Sequence, residues 1–162
     1  MKIGTDEPLR GLSISKIVVH PDNPGRVWIC MDGYDGNNRI FYSPDTGNAW
    51  QNISQGLPAL PVNALIYQHG SDDILYAGTD VGVFVWNKPA NIWECFSNDL
   101  PPVIITDFEI NYCAGKLRAS TYGRGIWESD LVPMTSDVAK IISYDTTWSS
   151  KTRLTSDIKV QS

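Results

Sequence analysis

The stretch IFYSPDTGNAW, residues 40–50, decides the fold, because both of its ends return later in the chain at one spacing. Ile40-Phe41-Tyr42-Ser43 falls into register with Val83-Phe84-Val85-Trp86 and with Ile126-Trp127-Glu128-Ser129, each 43 residues after the last, and Trp50 and Trp93 keep the same offset. Upstream of these anchors VWICM (27–31), LYAGT (75–79) and LRAST (117–121) align, preceded by IVVH, ALIY and DFEI. Such short runs of β-branched and aromatic residues are strand signals, and the clusters between them (HPDNPG, DGYDGNN, HGSDD, NKPAN) are turn signals. No window carries a sustained helical period, so the expected class is all-β.

A period of roughly 40–50 residues holding four short strands is the unit of a β-propeller, in which each blade buries its faces only against its neighbours. The blades are expected at 13–55, 61–98 and 104–131, the last with three strands, giving about two and three-quarter four-stranded antiparallel blades. Residues 1–12 read as a lead-in. In 132–162, VPMTSD reads as a linker and the alternation after it as the start of another β module. Propellers close with at least about four blades. The chain is therefore expected to be part of a larger ring, with the third blade's outer strand supplied from the far N-terminal end of that protein.

Between the third and fourth strands of the first blade, each residue of 43–50 has a local task. Asp45 accepts from turn N–H groups, Ser43 hydrogen-bonds across the turn, Gly47 permits positive φ and Trp50 covers the hairpin. Ser43, Asp45, Gly47 and Trp50 match the Asp box, or BNR repeat, pattern S-x-D-x-G-x-x-W at every defined position. ASTYGRGIWES (119–129) resembles the segment that closes the last blade of such propellers. The second repeat departs from the box, with Trp86 at the Ser position and Lys88 at the Asp position, so Pro89 and Asn91 are its expected turn formers. The resemblance, over residues 13–131, is to the propellers of sialidases, xyloglucanases, sortilin-like receptors and secreted bacterial proteins. It implies a structural role for the box and a secreted or cell-surface location, although no signal peptide is visible in the first residues.

Bulk properties narrow the partners. A formal charge of −5 gives no electrostatic footprint for nucleic acid, and no apolar run approaches the length needed for membrane insertion. Cys30, Cys95 and Cys113 match neither a zinc spacing nor a CxxC motif, and Cys30 reads as a small buried residue. His20 and His69 read as turn residues. No cofactor is expected.

The loops between second and third strands are where propeller enzymes bind substrate: DGYDGNN (32–38), TDVG (79–82) and TYGRG (121–125). Asp32 or Asp35 with Asp80 offers a carboxylate pair from adjacent blades, the minimum for glycoside hydrolysis. Tyr34, Tyr122 and Arg124 are candidate ligand contacts, with Arg124 expected to pair with a neighbouring carboxylate. Asp32, Asp35 and Asn37 place several oxygens close enough together to suggest a Ca²⁺ loop, but without EF-hand spacing, and no metal is assigned. The arginines do not converge into the trio a sialidase needs. Asp and Asn beside Gly are ordinary turn residues, so the reading leans away from an enzyme and toward a binding or scaffold module with glycan or protein ligands on the loop face. Its partners would include the remaining blades. The alternatives are part of a glycoside hydrolase, sialidase-like or xyloglucanase-like, and a sortilin-like peptide-binding segment.

Overall fold

The computed structural model describes residues 8–134 and 148–151. Every regular element among them is a strand, and the strands form three four-stranded antiparallel sheets in chain order. The first contains β1 (Ile14–Val19), β2 (Val27–Met31), β3 (Ile40–Ser43) and β4 (Gln51–Asn52). The second contains β5 (Val62–Tyr67), β6 (Leu75–Thr79), β7 (Gly82–Asn87) and β8 (Ile92–Cys95). The third contains β9 (Ile105–Asn111), β10 (Lys116–Thr121), β11 (Gly125–Asp130) and β12 (Ser149–Lys151). The first strands sit together, with β5 packed between β1 and β9. Register slips at the start of the β1–β2, β5–β6 and β9–β10 ladders, the same place in each sheet.

Side chains alternate across a strand, so each sheet has two faces, and the cross-strand rows show what each face is made of. One row runs Ile17–Ile29–Phe41, Leu65–Ala77–Phe84 and Phe108–Ala119–Trp127 in the three sheets. The opposite row runs Val18–Trp28–Tyr42, Ile66–Tyr76–Val85 and Glu109–Arg118–Glu128. Trp28, with Val18 and Tyr42, packs on Leu65 and Ala77 to fill the space between the first and second sheets. Tyr76, Val85 and Ile66 pack on Phe108 and Ala119 to fill the next. The middle sheet is thus covered on both faces, and all five residues of β6 are buried. Gly78 in β6 is a consequence: a Cβ there would stand 2.6 Å from Ile105 Cγ2, so the second and third sheets approach this closely only over a glycine.

The turn at 43–50 is held by its own side chains. Ser43 Oγ accepts from the Gly47 amide at 2.8 Å and donates to Asp45 Oδ1 at 2.9 Å, and Asp45 Oδ1 also accepts from the Ala49 amide at 2.8 Å. Thr46 as well as Gly47 takes a positive φ, 63° and 90°. The second hairpin uses other means. The Asn87 side chain accepts from the Ala90 amide at 3.2 Å, and Asn91 takes φ 53°; Asn87 was not among the turn formers expected from the sequence.

The third sheet differs from the expectation of three strands and a distant fourth. Its outer strand is β12, which pairs with β11 through Ile126↔Lys151, Trp127↔Ser150 and Glu128↔Ser149. Trp148, just before it, plays the part of Trp93. Trp93 Nε1 donates to Ile53 O at 2.7 Å and its amide to Gln55 O at 2.8 Å. Trp148 Nε1 donates to Phe96 O at 2.7 Å and its amide to Asn98 O at 3.4 Å. Phe96 and Asn98 stand 43 residues after Ile53 and Gln55. Each tryptophan therefore latches its sheet to the backbone leaving the sheet before it. Val132, expected in a linker, is 1% exposed. Its amide donates to the Tyr76 hydroxyl at 2.8 Å and its carbonyl accepts from Gln68 Nε2 at 2.9 Å. The rest of the expected linker and β module, 135–147 and 152–162, lies outside the described residues.

Trp93→Phe keeps an aromatic ring but strands the Ile53 carbonyl, at a cost of about 1–3 kcal/mol, and Trp148→Phe should cost a similar amount. Urea unfolding of the two variants checks this; a Trp148→Phe variant as stable as the parent would contradict the latch.

Candidate functional site

The turns joining β2–β3, β6–β7 and β10–β11 carry the sequence-derived catalytic, ligand and metal candidates, and hydrogen bonds tie Asp32, Asp35, Asn37 and Asp80 each to its own sheet. Asp32 Oδ2 accepts from Ser13 Oγ at 3.0 Å. Asp35 accepts from the Asn37 amide at 3.0 Å and Asn38 Nδ2 at 2.7 Å. These bonds, the Asn37 amide first, hold its carboxyl below the ordinary carboxylate value. Asn37 offers its carbonyl to Asn52 Nδ2 at 2.7 Å. Asp80 Oδ1 accepts from Asn63 Nδ2 at 2.9 Å. Among the described residues Asp32, Asp35 and Asp80 share no hydrogen-bond partner, so the carboxylate pair is not drawn together by bonding, and of the Ca²⁺ set only Asp35 and Asn37 are joined, through the Asn37 amide. Among the described residues there is no cluster of three or more His, Cys, Asp or Glu side chains arranged to hold a metal ion.

Arg124 is exposed, and no ion pair to it is formed among the described residues. The turn is held without the expected carboxylate partner: Thr121 Oγ1 donates to Gly125 O at 2.7 Å, and Gly123 and Gly125 adopt φ 76° and 74°. What these turns do present is apolar surface. Tyr34 is 71% exposed, Val81 41% and Tyr122 75%, one from each sheet. Ile104 stands beside Tyr122, whose amide donates to its carbonyl at 2.9 Å. Val81 and Ile104 were not candidates from the sequence; an apolar side chain next to Asp80 in a two-residue hairpin was the signal.

Arg39, at the end of the 32–38 turn, was also passed over. It has no exposed surface, and Nη1 donates to the Gly33 carbonyl while Nε and Nη2 have no partner among the described residues. Burial lowers its pKa, with the Asp35 charge opposing.

At the opposite end of the first two sheets an ionic clasp lines an open pocket of about 140 Å³ together with Trp28, Tyr42 and Trp86. Arg26 Nη2 meets Asp73 Oδ2 at 2.5 Å, and Lys88 Nζ meets the same oxygen at 3.0 Å. Arg26 lies over the rings of Trp28 and Tyr42, at 5.2 and 5.5 Å from their centroids. Burial pushes the Asp73 carboxyl up, but the hydrogen bonds and charges of Arg26 and Lys88 outweigh it, so the pKa lies below the ordinary value of 3.8.

Against solved structures, the chain is similar to the β-propeller domain of Myceliophteria thermophila Cps50 (Swd1), with 17% identity and a TM-score of 0.62 over 85% of this chain and 44% of that one. It is also similar to YCF48 bound to D1 peptide, with 19% identity and a TM-score of 0.54 over 91% of this chain and 41% of that one. The three sheets are β-propeller blades. The chain spans less than half the length of either structure. No protein-family model and no curated protein matches it.

The clasp between the first two blades makes stability depend on acid. A depressed folded-state pKa gives stability that is present above the unfolded value and lost as pH falls through the folded one. Asp73→Asn should therefore cost about 2 kcal/mol at neutral pH and progressively less below the ordinary carboxylate value of 3.8. Unfolding midpoints measured from neutral pH into acid check this; a constant difference would contradict it.

Proposed function

We propose that this chain is part of a propeller that works as a binding or scaffold module, with a protein or peptide ligand on the turn end. The observation that supports this is the row of exposed apolar side chains, one on each blade, at Tyr34, Val81 and Tyr122. Apolar and aromatic groups held on rigid turns are what protein contacts are built from, whereas glycoside hydrolysis needs two carboxylates set at a fixed separation. Here Asp32, Asp35 and Asp80 are each engaged within their own blade. YCF48, a fold neighbour, has been seen with a bound peptide, in keeping with this use of the architecture. The Asp-box class, the secreted or cell-surface location and the participation of further blades belong to the same reading, and rest on Ser43, Asp45, Gly47 and Trp50.

Panning a random peptide library against the chain, alongside a glycan array and a panel of glycan substrates, tests the reading. Selected peptides should lose roughly tenfold in affinity, about 1.4 kcal/mol, in the Tyr34→Ser/Tyr122→Ser double variant at unchanged melting temperature. Hydrolysis of any panel member that Asp32→Asn, Asp35→Asn or Asp80→Asn abolishes would replace the module with an enzyme.

A further inference from the structure

The first blade departs from the repeat at the connection between its second and third strands. That turn runs over 32–39, where the same connection takes 80–81 in the second blade and 122–124 in the third. Arg39 closes it, and the residues 43 and again 43 positions later are Gly82 and Gly125. The strand that follows is fastened alike in the first two blades. Ser54 Oγ accepts from the Arg39 and Ile40 amides at 2.9 and 3.0 Å, and Ser97 Oγ, 43 residues on, accepts from the Val83 amide at 2.8 Å. The hairpin thus closes over two residues and a glycine, and neither the longer turn nor the arginine is needed to form it.

The arginine is also incompletely paired. Arg39 has no exposed surface, and its Nη1 donates to the Gly33 carbonyl. Nε and Nη2 have no partner among the described residues. These two nitrogens form one edge of the planar guanidinium, the edge whose parallel N–H bonds fit both oxygens of a carboxylate. Buried polar groups are nearly always paired, and a charged donor left unpaired is the costliest exception. Asp35 is the charge that acts on Arg39. Its oxygens are nevertheless engaged by the Asn37 amide and Asn38 Nδ2. A complete fork is therefore held beneath the turn with nothing in it.

The turn itself lies at the surface. Residues 32–37 are exposed, and a Cβ at Gly33 would meet no atom within 4 Å. Asn52 Nδ2 ties the far side of the turn through the Asn37 carbonyl at 2.7 Å, whereas Gly33 is bonded to Arg39. Tyr34, 71% exposed, follows Gly33 directly.

We propose that Arg39 is a carboxylate-binding residue of the turn end: Gly33 and Tyr34 yield when a protein ligand docks on them, and Nε and Nη2 then take both oxygens of a carboxylate on that ligand, from an acidic side chain or a chain end. This rests on the reading of the turn end as a protein- or peptide-binding surface, and makes its ligand an acidic one. A carboxylate suits the fork better than a phosphate, because the Asp35 charge repels a dianion more than a monoanion. The chain's formal charge of −5 offers an acidic ligand no general attraction, so selectivity for it resides in this contact.

The test uses the full chain and three synthetic peptide libraries: one containing Asp and Glu with amidated C-termini, one in which Asn and Gln replace them, also amidated, and the second again with free C-termini. Peptides whose binding is lost in the Tyr34→Ser/Tyr122→Ser double variant are the turn-end binders. They should come from the first library if the carboxylate is a side chain and from the third if it is a chain end, and should be absent from the second. Replacing the key carboxylate by its amide should weaken binding about thirtyfold. Binding should also shift the Arg39 Nε–H resonance. Arg39→Lys keeps the charge but not the fork, and should lose most of the same affinity without adding to the loss from the peptide's own substitution. Asp35→Asn should bind the acidic peptides more tightly. Turn-end binders drawn as readily from the second library, or acidic ones that leave the Arg39 resonance unmoved, overturn this proposal and leave the protein-binding surface standing. No turn-end binder in any library overturns both. The peptide substitutions and the resonance are read on the unsubstituted chain, so the proposal remains decidable if an Arg39 variant fails to fold.

Discussion

A four-stranded sheet with two apolar faces cannot bury either of them by itself, and that constraint organises this chain. Trp28 against Leu65 and Ala77, and Tyr76 against Phe108 and Ala119, close the two spaces between the three sheets. Apolar burial at about 25 cal/mol per Å² is what opposes the conformational entropy of ordering the strands. Because this burial lies between blades rather than within them, the middle blade is held from both sides and the outer two from one. The burial of the strands follows. β6 is buried at every position, whereas in β10 Leu117 and Ala119 alone are buried and the other four residues are partly exposed.

Much of this was legible in the sequence because the repeat imposes it. The 43-residue offset that relates Ile40 to Val83 and Ile126 places β3, β7 and β11, and the apolar runs upstream place the strands before them. The fourth strand of the third blade escaped for a definite reason. Trp148 does the work of Trp93, but residues 131–147 separate it from β11, where the second hairpin has only 88–91 between its strands. A period search fails wherever one connection lengthens, although the latch itself, an indole donating to the carbonyl 43 residues after Ile53, kept the rule. Val132 failed for a related reason: beside a proline it reads as linker, and only the buried Tyr76 and Gln68 at 56 and 64 residues' distance make it core.

The candidate site was legible by location rather than by contact. Turn residues at 32–38, 79–82 and 121–125 can be assigned to one kind of connection from the strand order alone. Which of them hold the turn and which face water depends on partners such as Ser13 for Asp32 and Asn63 for Asp80. The ionic clasp was invisible for the same reason: Arg26 and Asp73 are 47 residues apart, and in HGSDD the aspartate reads as an ordinary turn residue. The two ends of the blades thus divide their tasks. The clasp and the Ser43–Asp45 turn tie strands together at one end, and Tyr34, Val81 and Tyr122 remain available at the other.

Native-state hydrogen exchange resolved by residue tests the central claim most directly. If burial between blades carries the stability, the slowest amides are those of β6 and β7 in the middle blade, exchanging only through global unfolding, with the first and third blades opening earlier from their outward faces. Three blades that exchange as separate units, or slowest exchange in β2–β3 or β10–β11, would show that each sheet is stable on its own and would contradict the account.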